Sequence, residues 1–181
     1  MPFTVRIPNV PETERGAPEQ VTLANARRKA GAVRAQGVGA VGGVGGFRDP
    51  VLACDTVVAL QGEIYGKPAD EDGARATLLA LSGATHEVVS GLVLLLDTGD
   101  RVPARSGERT AIARTEVSFR ELDGDLLEWY LATGEWRGRA GGYAIQGAGA
   151  ALVRAVAGDY ENVVGLPLAS LLDIYPELLS G

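Results

Sequence analysis

The run VLACDTVVAL at residues 51–60 decides the fold class, because ten mainly apolar, partly β-branched residues predict a buried β-strand. A second β-rich run, THEVVSGLVLLL at residues 85–96, predicts another strand. The helical pattern of residues 70–81 lies between them, and the alternating residues 109–121 predict a third long strand. Strands and helices that first alternate and are then followed by consecutive strands indicate an α/β domain with a mixed sheet.

The rest of the chain adds helices and shorter strands to this frame. We expect strands at 3–7 and 162–164 and helices at 18–35, 123–133, 148–157 and 168–179. The glycine-rich residues 37–50 contain the spacing G-x-G-x-x-G at Gly37, Gly39 and Gly42, but they follow a helix and precede a strand. That order is the reverse of the dinucleotide-binding arrangement, so these residues are interpreted as a loop. The 181 residues contain no long linker and are expected to form a single domain.

Composition excludes several classes of function. With 46% hydrophobic and 22% charged residues the chain is globular, and a net charge of −6 argues against binding to nucleic acid or to an anionic membrane. A local basic pocket for a phosphorylated small molecule remains compatible with that charge. The single cysteine, Cys54, precludes an internal disulfide and fits a reducing compartment. Neither a membrane-length apolar run nor a signal-peptide pattern is found, so a cytoplasmic protein is expected.

Asp55 is the most conspicuous polar residue, because it lies inside the apolar run 51–60. A buried carboxylate is unfavourable unless it has a charged partner or a metal. It is therefore either a metal-binding or general-base carboxylate at the edge of a cleft, or a residue near the end of the strand that caps a turn. Thr56 should face the other side of the strand, and Cys54 is expected to be a small buried apolar residue.

Two lysines and the only histidine have alternative interpretations. In Gly66-Lys67-Pro68 the neighbouring residues hold the backbone tightly, so Lys67 is either a phosphate contact or a surface lysine in a turn. Lys29 lies on a predicted helix and, taken alone, is a residue of a solvated helix face. His86 has no second histidine with which to build a zinc site and is expected to be structural.

The glycine-dense stretch 138–168 combines tight backbone with a few amide and acid side chains. Taken alone, it is either a loop-rich connection between elements or a wall that approaches a ligand. Gln146 is the candidate ligand-reading amide, whereas Asp159 and Asn162 are interpreted as supports of that wall.

Eight short segments in a fixed order add a family resemblance to this interpretation. They are P-N-V-P-E-T at 8–13, A-R-R-K-A at 26–30, C-D-T-V-V at 54–58, G-E-I-Y-G-K-P at 62–68, L-S-G-A-T-H-E-V at 81–88, T-E-V-S-F-R-E-L at 115–122, G-E-W-R-G-R-A-G-G-Y-A-I-Q-G at 134–147 and G-D-Y-E-N-V-V-G-L-P-L at 158–168. Together they cover nearly the whole chain and resemble the Maf family of nucleoside triphosphate pyrophosphatases, distant relatives of inosine triphosphate pyrophosphatases.

The resemblance implies an elongated mixed sheet flanked by helices, with two lobes around a cleft. It also implies a hydrolase that acts on acid anhydrides and splits a nucleoside triphosphate into the monophosphate and pyrophosphate. The implied cofactor is a divalent cation, Mg²⁺ before Mn²⁺, and a homodimer is common in the family. The I-Q-G sequence at 145–147 resembles the branch that prefers dTTP and UTP, modified forms included.

Site residues follow from the same motifs by position. The resemblance implies Asp55 as the proton acceptor and a metal ligand, Glu12 as a second metal partner, Thr56 and Gln146 as determinants of base specificity, and Lys29, Lys67 and Arg139 as further substrate-binding residues. Arg139 stands where the common form of the motif has lysine, which keeps the charge but changes its geometry.

The chain also departs from the family pattern at its start. The family begins with a strand and an S-x-S-P-R-R loop that binds the triphosphate, and no such segment precedes Met1-Pro2-Phe3 here. Each lost hydrogen bond to a charged group would cost on the order of 1.5–3 kcal/mol. We therefore expect either an active pyrophosphatase, whose true start lies upstream or which works without this loop, or a catalytically impaired Maf-like protein that binds nucleotide or a partner.

Overall fold

The computed structural model describes residues 3–37, 49–96 and 107–179. In chain order the elements are α1 (Pro18–Gly37), β1 (Val51–Leu60), β2 (Glu63–Tyr65), α2 (Glu71–Leu81), β3 (Thr85–Leu96), β4 (Gly107–Phe119), α3 (Gly124–Thr133), β5 (Val153–Ala157), α4 (Tyr160–Val164) and α5 (Leu168–Ile174). Single turns of 3₁₀ helix occur at Ala140–Gly142, Ala148–Leu152 and Pro176–Leu179.

The five strands form one sheet in the order β2-β1-β3-β4-β5, which confirms the α/β class. The prediction of a mixed sheet is wrong for the described residues, because all four strand pairs there are antiparallel. A parallel pair needs a connection that crosses to the opposite end of the sheet. Here both helical connections return to the end they left: Ala59 of β1 pairs with Glu87 of β3, and Phe119 of β4 pairs with Val153 of β5.

Helices cover both faces of the sheet. On one face, α1 packs Ala26 and Ala30 against Val93 and its neighbours. The approach is close at Gly91, where a Cβ atom would lie 2.7 Å from the backbone nitrogen of Leu23. The opposite face carries the larger core, which is built with α2, α3 and residues 136–152. The sheet is thus buried on both faces in the centre of β3 and at residues 57–59 of β1.

Two of the predicted helices have side-chain caps at their start. Asp70 accepts a hydrogen bond of 2.8 Å from the backbone nitrogen of Gly73 and opens α2. Asp123 does the same for α3 through the backbone nitrogen of Leu126, also at 2.8 Å. Such caps satisfy backbone donors that a helix start leaves free, and the predictions of helices at 70–81 and 123–133 are confirmed.

Four smaller predictions are wrong. Residues 3–7 form no strand and their apolar side chains are exposed, because the segment pairs with no strand among the described residues. Residues 148–157 form a 3₁₀ turn followed by β5, and 162–164 belong to α4, which starts at the Asp159 cap. The last helix ends at Ile174, since Pro176 disfavours helical backbone at the residue before it.

The predicted loop at 37–50 lies almost entirely outside the described residues. No helix in the described parts of the chain is long and apolar enough to cross a membrane.

Candidate active site

The unpaired edge of β1 carries the pocket that Asp55 lines, and it is called here the main pocket for that reason. Because β2 pairs only with Val58–Leu60, the rest of that edge of β1 has no strand partner among the described residues. A pocket of about 180 Å³ lies there and contacts both Asp55 and Thr56, which project to opposite faces of the strand. Its other walls come from Lys29, Lys67 and parts of 138–146 and 163–165.

Asp55 is 6% exposed, and both of its carboxylate oxygens are hydrogen-bonded by α1. Lys29 donates from Nζ to Oδ1 at 2.5 Å, and Asn25 donates from Nδ2 to Oδ2 at 2.9 Å. Residues four apart lie on the same face of a helix, so one turn of α1 supplies both partners. The buried charge therefore has the partner that it requires, and the interpretation of Asp55 as a turn cap is wrong.

Glu12 joins this acid to the second lysine. Its Oε1 lies 2.8 Å from Lys29 Nζ and its Oε2 lies 3.0 Å from Lys67 Nζ. Asp55, Lys29, Glu12 and Lys67 thus form one continuous chain of charges, called here the carboxylate–lysine network. Lys29 is part of this network rather than of a solvated helix face, and Lys67, though half-exposed, faces the pocket.

The network shifts the pKa values of Lys29 and Glu12. Burial alone would lower the pKa of Lys29, but hydrogen bonds and charges from Asp55 and Glu12 outweigh it and raise that pKa above its ordinary value. Burial would raise the pKa of Glu12, but Lys29 and Lys67 outweigh it and lower that pKa. The Lys29 ammonium and the Glu12 carboxylate are therefore both charged throughout the neutral pH range.

Thr56 and Cys54 lie on the other face of β1. The Oγ1 of Thr56 is 2.7 Å from the hydroxyl oxygen of Ser90, a fully buried residue of β3. Cys54 is only partly buried and contributes to the pocket wall, contrary to the expectation of a buried apolar residue. The unpaired strand edge leaves part of this side chain open to the pocket. Burial raises the pKa of its thiol to about 11, so the thiol is protonated at neutral pH.

The glycine-dense stretch forms the wall opposite β1. The backbone nitrogen of Gly141 donates to the carbonyl oxygen of Gly66 at 3.0 Å, which ties this wall to the loop that carries Lys67. Gly141 has φ +67°, and a Cβ atom there would lie 2.7 Å from Cγ2 of Val58. Only glycine combines that backbone conformation with so close an approach to β1.

Gln146 and Arg139 are exposed residues of this wall and lie between two pockets. Both line the main pocket, and both line a neighbouring pocket of about 260 Å³ together with Glu135 and Arg137. Every sequence-predicted site residue except Glu12 therefore lines the main pocket, and Glu12 binds two residues that do.

Several supporting residues are buried behind these walls. Asn162 is fully buried and donates at 3.0 Å to both Val88 O and Thr115 Oγ1, in keeping with a support. His86 is 1% exposed, and its Nε2 lies 2.9 Å from the hydroxyl oxygen of Tyr143, a pocket residue. The described residues hold no group of three or more His, Cys, Asp or Glu suited to a metal ion.

Sequence reasoning missed three partners: Asn25, Ser90 and Tyr143. A signal existed for Asn25, which is four residues before Lys29 and so on the same face of a predicted helix. The pairing of Ser90 with Thr56 depends on strand register, and that of Tyr143 with His86 on tertiary packing. Neither pairing can be read from local spacing.

Comparison with known proteins identifies the family of this chain. The family described as "Maf-like protein" matches residues 1–178, and the chain belongs to that family. A dTTP/UTP pyrophosphatase of Pyrococcus furiosus is 50% identical over 126 residues, 70% of this chain and 62% of that protein. One of Symbiobacterium thermophilum is 40% identical over 170 residues, 93% and 79% of the two chains. One of Myxococcus xanthus is 42% identical over 168 residues, 92% and 76%. The chain thus spans less than two thirds of the Pyrococcus furiosus relative.

Proposed function

We propose that this chain is a nucleoside triphosphate pyrophosphatase that converts dTTP- or UTP-type nucleotides, modified forms included, to the monophosphate and pyrophosphate. The observation that carries the proposal is the carboxylate–lysine network, which brings a buried acid and two cations to one pocket with Gln146 on its wall. The names of the relatives from three organisms support the choice of substrate.

Asp55 is the proposed general base. Its carboxylate accepts a proton from a water molecule while the water oxygen bonds to the α-phosphorus. The bond from that phosphorus to the bridging oxygen breaks, and pyrophosphate leaves with the bonding electron pair. Lys29, Lys67 and Arg139 place positive charge around the phosphates, where negative charge accumulates during this displacement.

Enzymes of this class generally use a divalent metal, and the two acids of the network fit one. Mg²⁺ is commonly held by one or two carboxylates together with substrate phosphates, so a three-residue protein cluster is not required. Asp55 and Glu12 both contact the ammonium of Lys29, so a cation is already accommodated between them. These two residues would hold the ion, which when bound neutralises phosphate charge and activates water.

Gln146 and Thr56 are the proposed determinants of base recognition. An amide can both donate to and accept from the edge of a pyrimidine, and a base that mismatches this pattern leaves polar groups unpaired. The Thr56 hydroxyl is held by Ser90, so its orientation is fixed before a nucleotide binds.

Pyrophosphate release from dTTP, UTP and GTP with Mg²⁺ tests the proposal. We expect release from dTTP and UTP, loss of release with a chelator, and a fall of about 10²–10⁴-fold for Asp55→Asn, the usual contribution of a general base. Asp173→Asn, which changes an exposed carboxylate of α5, is the matched control and should behave like the unmodified chain. Nucleotide binding without turnover would refute the proposal and favour the catalytically impaired alternative.

A further inference from the structure

Asn25 lies at the centre of the site, yet it carries none of the chemistry assigned above. It projects from α1 and is 2% exposed. Its Nδ2 donates to Asp55 Oδ2 at 2.9 Å and to the carbonyl oxygen of Thr13 at 3.0 Å. Its Oδ1 accepts from the backbone nitrogen of Thr13 at 2.9 Å and from Arg28 at 2.7 Å. Two donors and two acceptor positions are the full capacity of an amide, so every one is used.

We propose that Asn25 is a positioning residue that fixes both carboxylates of the active site at once. One hydrogen bond sets the orientation of Asp55. The pair of bonds to Thr13 holds that residue's backbone as a neighbouring strand would, and Glu12 is the next residue along the chain. This inference rests on the proposed function, because the two carboxylates matter only if they serve the hydrolysis.

The geometry permits only one orientation of the amide. Were it rotated by 180°, its oxygen would face Asp55 Oδ2 and the Thr13 carbonyl, and its NH₂ group would face the Thr13 N–H and the Arg28 guanidinium. Each of the four contacts would then set two hydrogen-bond acceptors or two hydrogen-bond donors against each other. The carbonyl oxygen and the carboxylate are therefore read only by an NH₂ group, which makes asparagine hard to replace at this position.

Two nearly isosteric variants separate the two tasks of Asn25. Asn25→Asp keeps an acceptor for the Thr13 N–H but loses both donors and sets a carboxylate beside Asp55. Asn25→Leu loses every polar contact. Thr22→Val is the control, because Thr22 is buried one turn earlier on α1 and its hydroxyl donates to the carbonyl oxygen of Glu19, away from Asp55 and Thr13.

For Asn25→Asp we expect kcat to fall about tenfold or more, since misplacing a reacting group is costly. In Asn25→Leu, which adds no charge and changes no residue that lines the pocket, kcat should also fall while KM for dTTP changes by less than about twofold. A purely structural role would lower the fraction of folded protein without this split between kcat and KM. Unchanged kcat in the folded Asn25→Asp and Asn25→Leu proteins would overturn the proposal.

Amide hydrogen exchange tests the second task without any turnover. Within the described parts of the chain, the Thr13 nitrogen donates only to the Asn25 side chain. In the unmodified chain we expect the Thr13 amide to exchange at least about tenfold more slowly than an open amide, and to lose that protection in Asn25→Leu but not in Thr22→Val. An unprotected Thr13 amide in the unmodified chain refutes the proposal that Asn25 holds the Thr13 backbone, even if both variants fail to fold. An unmodified chain that has this protection but no activity refutes the proposed function and leaves the role of Asn25 in holding Thr13 intact.

Discussion

The stability of this protein should fall steeply in mild acid because of one buried histidine. His86 lies between Phe119 and Tyr143, whose rings pack edge-on against it at centroid distances of 4.9 and 5.5 Å. Its Nδ1 is buried and has no hydrogen-bond partner among the residues that the structure describes. Burial therefore lowers the pKa of His86 from 6.5 to about 4.

The direction in which stability changes with pH follows from the difference in proton uptake between the unfolded and the folded chain. Between pH 6.5 and about 4 the unfolded chain binds a proton at His86 and the folded chain does not, so acidification favours unfolding. Each pKa unit corresponds to about 1.4 kcal/mol. The lowered pKa of His86 therefore corresponds to a loss of about 3 kcal/mol in the free energy of unfolding between pH 7 and pH 4. The contribution is fully present above pH 6.5.

Urea denaturation of the unmodified chain and of His86→Gln, at a series of pH values from 7.5 to 4, measures this loss. Glutamine can still hydrogen-bond the Tyr143 hydroxyl but takes up no proton, so the variant should lack the histidine part of the slope. Subtracting the two curves removes the carboxylates that both proteins share. Because His86 is the only histidine, its NMR titration is unambiguous. Equal slopes, or an imidazole that titrates near 6.5 in the folded chain, would refute the reasoning.

Three further predictions concern the pocket walls. Gly141→Ala should lower the free energy of unfolding by about 1–3 kcal/mol more than Gly138→Ala in urea denaturation, because both glycines have positive φ but only the first lacks room for a Cβ atom. Equal losses would contradict the close approach to β1. Lys67→Gln should raise KM for dTTP about tenfold with little change in stability, since half-exposed ion pairs stabilise weakly, whereas Arg75→Gln, which breaks an exposed pair outside the pocket, should leave KM unchanged. Cys54 should react slowly with iodoacetamide at pH 7.5, because the pKa of its thiol is about 11, and fast alkylation measured by mass spectrometry would contradict that value.

The main frame of the fold was predictable from sequence where the pattern was long. The apolar runs of β1 and β3 and the capped starts of α2 and α3 are local signals, and all four elements were predicted near their observed bounds. Short segments were not. Residues 148–157 have helical composition, but pairing with β4 makes the second half a strand, and such pairing is a tertiary effect.

The candidate site shows the same division. Asp55 could be identified from sequence because a carboxylate within an apolar run is unfavourable without a charged partner. Lys29 is that partner, and the two residues form an ion pair. The link through Glu12 could not be predicted from spacing, because residues 12, 29 and 67 come from three separate segments. The motif resemblance named these residues together, and packing explains why they belong together.

Hydrolysis of dTTP in ¹⁸O-labelled water tests the central claim most directly. If Asp55 directs water to the α-phosphorus, mass spectrometry should find one ¹⁸O atom in the thymidine monophosphate and none in the pyrophosphate. Asp55→Asn should slow the formation of both products by about 10²–10⁴-fold. Label in pyrophosphate, release of single phosphates, or product formation that does not depend on Asp55 would contradict the account.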